Sequence, residues 1–157
     1  MLISTIFVKD FTMKTLAIND KAPAFKGIDQ NGKTVSLGDF KGQKLILYFY
    51  PKDDTPGCTA EACNLNDNHS MLLNKGFAIV GVSADDQKSH LKFVKKFGLK
   101  FCLIADTDHK IINEYGAWGE KILFGREYMG ILRTTFVINE KGKIEKIFDK
   151  VNTKYHT

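Results

Sequence analysis

Apolar and polar residues along this chain fall into two alternating kinds of run. Lys44–Tyr50 (KLILYFY) is a continuous apolar and aromatic stretch with no breaker, the pattern of a strand buried on both faces of a covered sheet. Phe77–Ser83 (FAIVGVS) repeats that pattern, and Phe101–Ala105 is a shorter third strand. Between these runs the spacing turns helical. Residues 58–75 read as a helix stopped by Gly76. Ser89–Phe97 puts Leu91, Val94 and Phe97 on one face and Lys88, Lys92, Lys95 and Lys96 elsewhere, a surface helix ended by Gly98. Thr107–Tyr115 reads as a helix capped by Asp106 or Thr107 and ended by Gly116. Thr134–Asn139 and Lys143–Phe148 form an expected antiparallel hairpin joined by Glu140-Lys141-Gly142. Near the start, Ala24–Ile28 and Lys33–Leu37 flank Asp29-Gln30-Asn31-Gly32. Asn-Gly between two short runs predicts a hairpin turn, because both residues tolerate positive φ.

Strands alternating with helices predict βαβ crossovers around a parallel core, and the final hairpin adds antiparallel edges. The expected fold is α/β, with a central mixed sheet flanked by helices. Sites in such sheets lie beyond the carboxyl ends of the central strands. The loop after Lys44–Tyr50 leads straight to Cys58.

Composition narrows the picture. A chain of 157 residues fits one domain that can bury a core without disulfide staples. No apolar run approaches the roughly 20 residues of a membrane helix, and the first segment lacks the basic start of a signal peptide. Met13-Lys14-Thr15-Leu16 reads like a natural start, which makes residues 1–12 an extension and 13–157 the domain. The net charge of +5 comes from lysines interleaved with acids, so no nucleic-acid or membrane partner is expected. Three cysteines make no disulfide framework and point to a reducing cytoplasm, where paired cysteines serve catalysis or metals. The four histidines do not sit at metal-ligand spacing from them, so no metal or other cofactor is expected.

The chemistry concentrates in Pro51-Lys52-Asp53-Asp54-Thr55-Pro56-Gly57-Cys58-Thr59-Ala60-Glu61-Ala62-Cys63. Cys58 opens the expected helix, where free N–H groups and the helix dipole stabilise an anion and favour the nucleophilic thiolate. The Thr55 hydroxyl lies within reach of the sulfur or of a molecule bound beside it, and Pro56 stiffens the turn. Glu61 falls in the first helical turns, where a carboxylate is favourable. Arg133 opens a strand and is the candidate cation, which the sequence does not place beside Cys58. In an intact helix Cys58 and Cys63 have Cα atoms about 8.6 Å apart, beyond the roughly 7 Å a disulfide tolerates. Two readings of Cys63 follow: a core residue on the buried face of the helix, or a partner that attacks an oxidised Cys58 once the first turn unwinds. Cys102, inside a strand, is a small core residue without a role.

The run Thr55–Cys63 (TPGCTAEAC) strongly resembles the bacterioferritin comigratory protein family, the Q-type branch of the peroxiredoxins. Tyr48–Lys52, Tyr115–Lys121 and Gly130–Phe136 are similar to further signatures of that family, in the same order, and the resemblance spans about residues 16–150. It implies a thioredoxin-like fold and reduction of hydrogen peroxide and organic hydroperoxides. It also implies Cys58 as the peroxidatic cysteine, Cys63 as the resolving one, and Thr55, Pro51 and Arg133 lining the site with Glu61 in support. Thioredoxin or a similar dithiol protein would be the reductant, no cofactor is implied, and the unit would be a monomer.

Two departures stand out. The family usually carries an arginine in the helix where this chain has Asn66, which removes a supporting charge. The segment Asp149–Thr157 is too short for the family's C-terminal helix. That predicts an uncovered apolar patch, with lower stability or self-association. Two other readings stay open on the residues alone. A thiol–disulfide oxidoreductase would favour two intervening residues between its cysteines rather than four. A non-catalytic chaperone or binding protein would not need Cys58.

Overall fold

The structure, a computed structural model, describes residues 15–149. The expected extension over 1–12, the start at Met13 and the short C-terminal segment, except for Asp149, lie outside those residues. Five strands form the central sheet: β3 (Lys44–Phe49), β4 (Phe77–Ser83), β5 (Cys102–Ala105), β8 (Thr134–Ile138) and β9 (Ile144–Phe148). They lie in the order β5-β4-β3-β8-β9, with β3, β4 and β5 parallel, β8 antiparallel to β3 and β9 antiparallel to β8. The expected α/β fold with a mixed central sheet is the fold observed.

Strand β3 shows why the sheet is covered twice. Leu45, Leu47 and Phe49 point to one side, into a core shared with Val80, Val82, Phe136, Ile138 and the short helix α4 (Lys110–Glu114). Ile46 and Tyr48 point to the other, where α1 (Pro56–Asp67), α2 (His69–Asn74) and α3 (Gln87–Phe97) supply Cys58, Ala62, Leu65, Leu72 and Phe93. The run is apolar throughout because both faces are dry. Gly81 of β4 fits only as glycine, since a Cβ there would come within 2.7 Å of Leu103 and 2.9 Å of the Tyr48 ring.

Several boundaries differ from the sequence reading, each for a local reason. The expected helix over 58–75 starts earlier, with Pro56 in its first turn, and breaks at Asn68, whose backbone leaves the helical region (φ −101°, ψ 7°). Helix α3 starts at Gln87 because Asp86 accepts a capping hydrogen bond from the Ser89 N–H at 2.8 Å. The helix expected from Thr107 is only Lys110–Glu114. Asp106 caps it from a distance, taking the Ile111 and Ile112 N–H groups at 3.2 and 2.8 Å. In the turn between β1 (Lys26–Ile28) and β2 (Thr34–Ser36), Gly32 takes positive φ and Asn31 does not. The Asp29 carboxylate holds that turn by accepting from the Asn31 and Lys33 N–H groups. A further hairpin, β6 (Trp118–Leu123) with β7 (Arg126–Ile131), was not expected. It turns on Phe124 and Gly125, both at positive φ, rather than on an Asn-Gly signal.

Asn66, where the family pattern has an arginine, ties α1 to the loop before β5. Its amide donates to the Gly98 carbonyl at 3.0 Å and accepts from the Lys100 N–H at 2.8 Å. Asn66→Ala is expected to cost about 1–2 kcal/mol for two partly exposed hydrogen bonds, a fall of roughly 2–8 °C in Tm for a chain this size. Differential scanning calorimetry checks it.

Candidate active site

The site is assembled where β3 ends. Tyr50 continues the ladder to β4 through its N–H and the Val82 carbonyl, 3.1 Å apart. Pro51 follows, half-buried, and the loop then turns through Asp54, a non-glycine residue at φ 57°. Thr55 is extended (φ −97°, ψ 156°), and its carbonyl accepts the Thr59 N–H at 2.8 Å, which starts α1. Cys58 therefore sits in the first turn, 1% exposed, in the apolar cluster with Tyr48, Tyr50 and Ala62.

Arg133 lies in the two-residue link between β7 and β8, and β8 pairs directly with β3, which brings it over the start of α1. One guanidinium nitrogen, Nη2, is 3.2 Å from Cys58 Sγ. The other, Nη1, donates to Glu61 Oε1 at 2.6 Å. The guanidinium thus bridges sulfur and carboxylate, and its positive charge stabilises an anionic sulfur. Burial alone would lower the Arg133 pKa. The neighbouring Cys58 and Glu61 outweigh it and leave Arg133 above its ordinary value.

Glu61 is fully buried on the inner side of α1. Burial pushes its carboxyl up to about 7, against the opposing pull of Arg133. A solvated glutamate titrates near about 4.3. The folded state thus holds more protons across that window, and its stability falls as pH rises from about 4.3 to 7. Glu61→Gln is expected to reduce the stability difference between pH 5 and pH 8 by on the order of 1–3 kcal/mol. Urea unfolding at the two pH values measures it, and an unchanged difference would contradict this account.

Thr55 and Cys63 also fall close by, in different states. The Thr55 hydroxyl donates to the Lys52 carbonyl at 2.9 Å, which leaves its oxygen as an acceptor. Cys63 is a half-buried free thiol in the same unbroken helix as Cys58. Burial, reinforced by the Asp67 charge, raises its pKa. Cys102 is remote in chemistry as well as sequence, because burial holds its thiol up to about 11.

Two nearby groups escaped the sequence reading. The Tyr48 hydroxyl is buried with no hydrogen-bond partner among the described residues. Burial, then the Glu61 and Cys58 charges, raises its pKa well above the ordinary value. Lys121, on the unexpected hairpin, donates to the Ile131 carbonyl at 2.9 Å. Burial and the Arg133 charge lower its pKa, while Cys58 pulls it back up. The hairpin would have been needed to place Lys121, and its mixed polarity hid it.

A mixed sheet of this topology, with one cysteine at a helix start and an arginine held against its sulfur, defines a thioredoxin-like protein built for thiol redox chemistry. The chain belongs to the AhpC/TSA family, whose pattern matches residues 18–147, and it is a thiol-dependent peroxidase of the peroxiredoxin type. It is 46% identical to the putative peroxiredoxin bcp of Haemophilus influenzae over 144 residues, covering 92% of this chain and 93% of that one. It is 45% identical to peroxiredoxin Bcp of Bacillus subtilis over 142 residues, 90% of each chain. Among solved structures, the bacterioferritin comigratory protein of Xanthomonas campestris, studied for alkyl peroxide reduction, superposes with a TM-score of 0.79. That match has 33% identity and covers 84% of both chains. The expected family and fold are therefore those found. No helix among the described residues is long and apolar enough to cross a membrane.

Proposed function

We propose that the protein reduces hydrogen peroxide and organic hydroperoxides at Cys58, resolves the product with Cys63 and is recycled by thioredoxin or a similar dithiol protein in a reducing cytoplasm. The observation that carries this reading is the Arg133 guanidinium 3.2 Å from a buried sulfur in the first turn of α1. In the first step the Cys58 thiolate attacks one peroxide oxygen and the O–O bond breaks. Sulfur becomes the sulfenic acid, and the leaving oxygen takes a proton and departs as water or alcohol. Arg133 donates to the oxygens as charge moves onto them. The Thr55 oxygen accepts from the peroxide O–H, Pro51 walls the pocket, and Glu61 keeps Arg133 in place.

The second step needs motion. Helical geometry keeps the two cysteines about 8.6 Å apart at Cα, so the first turns of α1 unwind before Cys63 attacks the sulfenic sulfur and expels water. Until then the raised pKa of Cys63 keeps it a poor nucleophile. A disulfide within one chain needs no second copy, so the working unit is a monomer.

The test is hydrogen peroxide consumption coupled to thioredoxin, thioredoxin reductase and NADPH. Wild type is expected to turn over continuously. Cys63→Ser is expected to oxidise once, rapidly, and then stall. Sustained thioredoxin-driven turnover by that variant would remove Cys63 from the cycle.

A further inference from the structure

A second cluster of chemically capable groups lies behind the peroxide loop, and the steps above leave it unused. The Asp53 carboxylate, in a residue 7% exposed, receives three hydrogen bonds. Tyr50 Oη donates to Oδ1 at 2.6 Å, Ser89 Oγ donates to Oδ2 at 2.8 Å, and His90 Nδ1 lies 2.7 Å from Oδ2. His90 is fully buried in α3, and its other nitrogen, Nε2, is 3.0 Å from the Ile104 carbonyl of β5. A carbonyl only accepts, so Nε2 is the donor in that contact, and Nδ1 faces Asp53. The Asp53 backbone N–H donates to Asp85 Oδ2 at 2.8 Å, and Ser83 Oγ at the end of β4 donates to the same oxygen at 2.7 Å.

Asp53, Asp85 and His90 place ligand atoms within 4.8 Å of one another, a spacing compatible with a metal ion. Yet both oxygens of Asp53 and both nitrogens of His90 already have protein partners. The cluster is closed on itself and reads as a clamp rather than a metal centre.

What it clamps is one peptide unit. The N–H held by Asp85 belongs to the Lys52–Asp53 peptide, and the carbonyl of that peptide is the acceptor of the Thr55 hydroxyl. Fixing the peptide plane from its N–H side therefore fixes the direction of the carbonyl, and the carbonyl decides where the Thr55 proton points. The lone pairs of Thr55 are left facing away from Lys52. The chain between runs through Asp54 at φ 57°, a conformation aspartate tolerates better than most side chains. The clamp on Asp53, Asp85 and His90 is built from four elements, by Tyr50 and Ser83 at strand ends, Ile104 within β5 and Ser89 and His90 in α3.

We propose that the buried Asp53–His90–Asp85 cluster is a positioning device, which fixes the Lys52–Asp53 peptide and through it the Thr55 hydroxyl against the hydroperoxide. This rests on the reading of Cys58 as the peroxide-reacting sulfur. Asp53, His90 and Asp85 touch neither substrate nor sulfur in this scheme. They act through Thr55.

The experiment compares two rates at Cys58 in the full-length protein. Stopped-flow oxidation by hydrogen peroxide requires the oriented cradle, whereas alkylation by iodoacetamide requires only an available thiolate. Asp53→Ala is expected to slow the peroxide reaction by about 10²-fold, the scale of a small misplacement of a positioned group. Alkylation should stay within about threefold of wild type. Asp53→Asn, which can donate to a bare His90 Nδ1 and accept from Tyr50, is expected to recover most of the loss. Combined with Thr55→Val, Asp53→Ala should add nothing further, because both changes remove the same group's action. Should Asp53→Ala fail to fold, Ser89→Ala removes one bond of the same clamp, and a slowing of roughly three- to tenfold is expected. The proposal is overturned by folded variants that react with peroxide at the wild-type rate. It is overturned equally if the two rates fall in parallel, or if the losses with Thr55→Val are additive. A wild-type protein that alkylates at Cys58 but does not react with peroxide would overturn the peroxidase reading of the site and this proposal with it.

Discussion

Cys58→Ser is expected to abolish thioredoxin-coupled peroxide turnover, a loss of at least about 10³-fold, while leaving the fold intact. The serine hydroxyl stays protonated at neutral pH and offers no anion for attack on the O–O bond. The surroundings that serve the thiolate, a helix start and the Arg133 guanidinium, are far too weak to ionise an alcohol. The exchange is close to isosteric at a position 1% exposed, so Tm should move by no more than a few degrees. Neither remaining thiol can substitute. Cys63 is half-buried with a raised pKa, and Cys102 is held near 11, so both are protonated at neutral pH. The same variant separates the competing readings: a chaperone or binding role would survive it, and a thiol peroxidase would not. Residual turnover in the variant would place the reacting sulfur elsewhere.

How much of this was legible in the sequence depended on the range of the interactions involved. The β3 and β4 runs were readable because a strand buried on both faces carries its signal in every residue, and Phe77–Ser83 matches to the residue. The start of α1 was misplaced by two residues, because Thr55-Pro56-Gly57 reads as a turn, whereas Pro56 takes the first helical position after a Thr55 cap. The break at Asn68 was not readable, since an asparagine inside a helical run gives no warning that its side chain will turn back to the Asn64 carbonyl at 2.9 Å. The site divides in the same way. Cys58, Thr55 and Glu61 lie on one short stretch, and local spacing located them. Arg133 stands 75 positions from Cys58 in the chain, and only the β3–β8 pairing brings the two together. Asp53 and His90 were the least legible. Each looks ordinary in sequence, an acid in a turn and a histidine on an amphipathic helix. Their meaning appears only when α3 is laid across the ends of β3, β4 and β5.

Arg133→Met should produce the second large loss, and its two parts can be separated. Removing the donor beside the sulfur is expected to slow peroxide oxidation of Cys58 by about 10²–10³-fold, the range for deleting one preorganised donor to developing negative charge. Removing it also takes away the cation bonded through Nη1 at 2.6 Å to the fully buried Glu61. Breaking a buried pair costs about 3–5 kcal/mol when the remaining charge persists. Here the cost is relieved by protonation, because Arg133 is what holds the Glu61 carboxyl down to about 7. With it gone the carboxyl titrates higher still, and the variant loses more stability than wild type as pH rises. The destabilisation should therefore be small at pH 5 and large at pH 8. Adding Glu61→Gln to Arg133→Met should restore stability at pH 8 without restoring the rate. Arg133→Lys should be intermediate, about tenfold slow, since one ammonium cannot meet the sulfur and the carboxylate with separate nitrogens in the fixed fork that Nη1 and Nη2 provide. Were the double variant to regain both stability and rate, the arginine would be a scaffold for the helix rather than a partner of the sulfur.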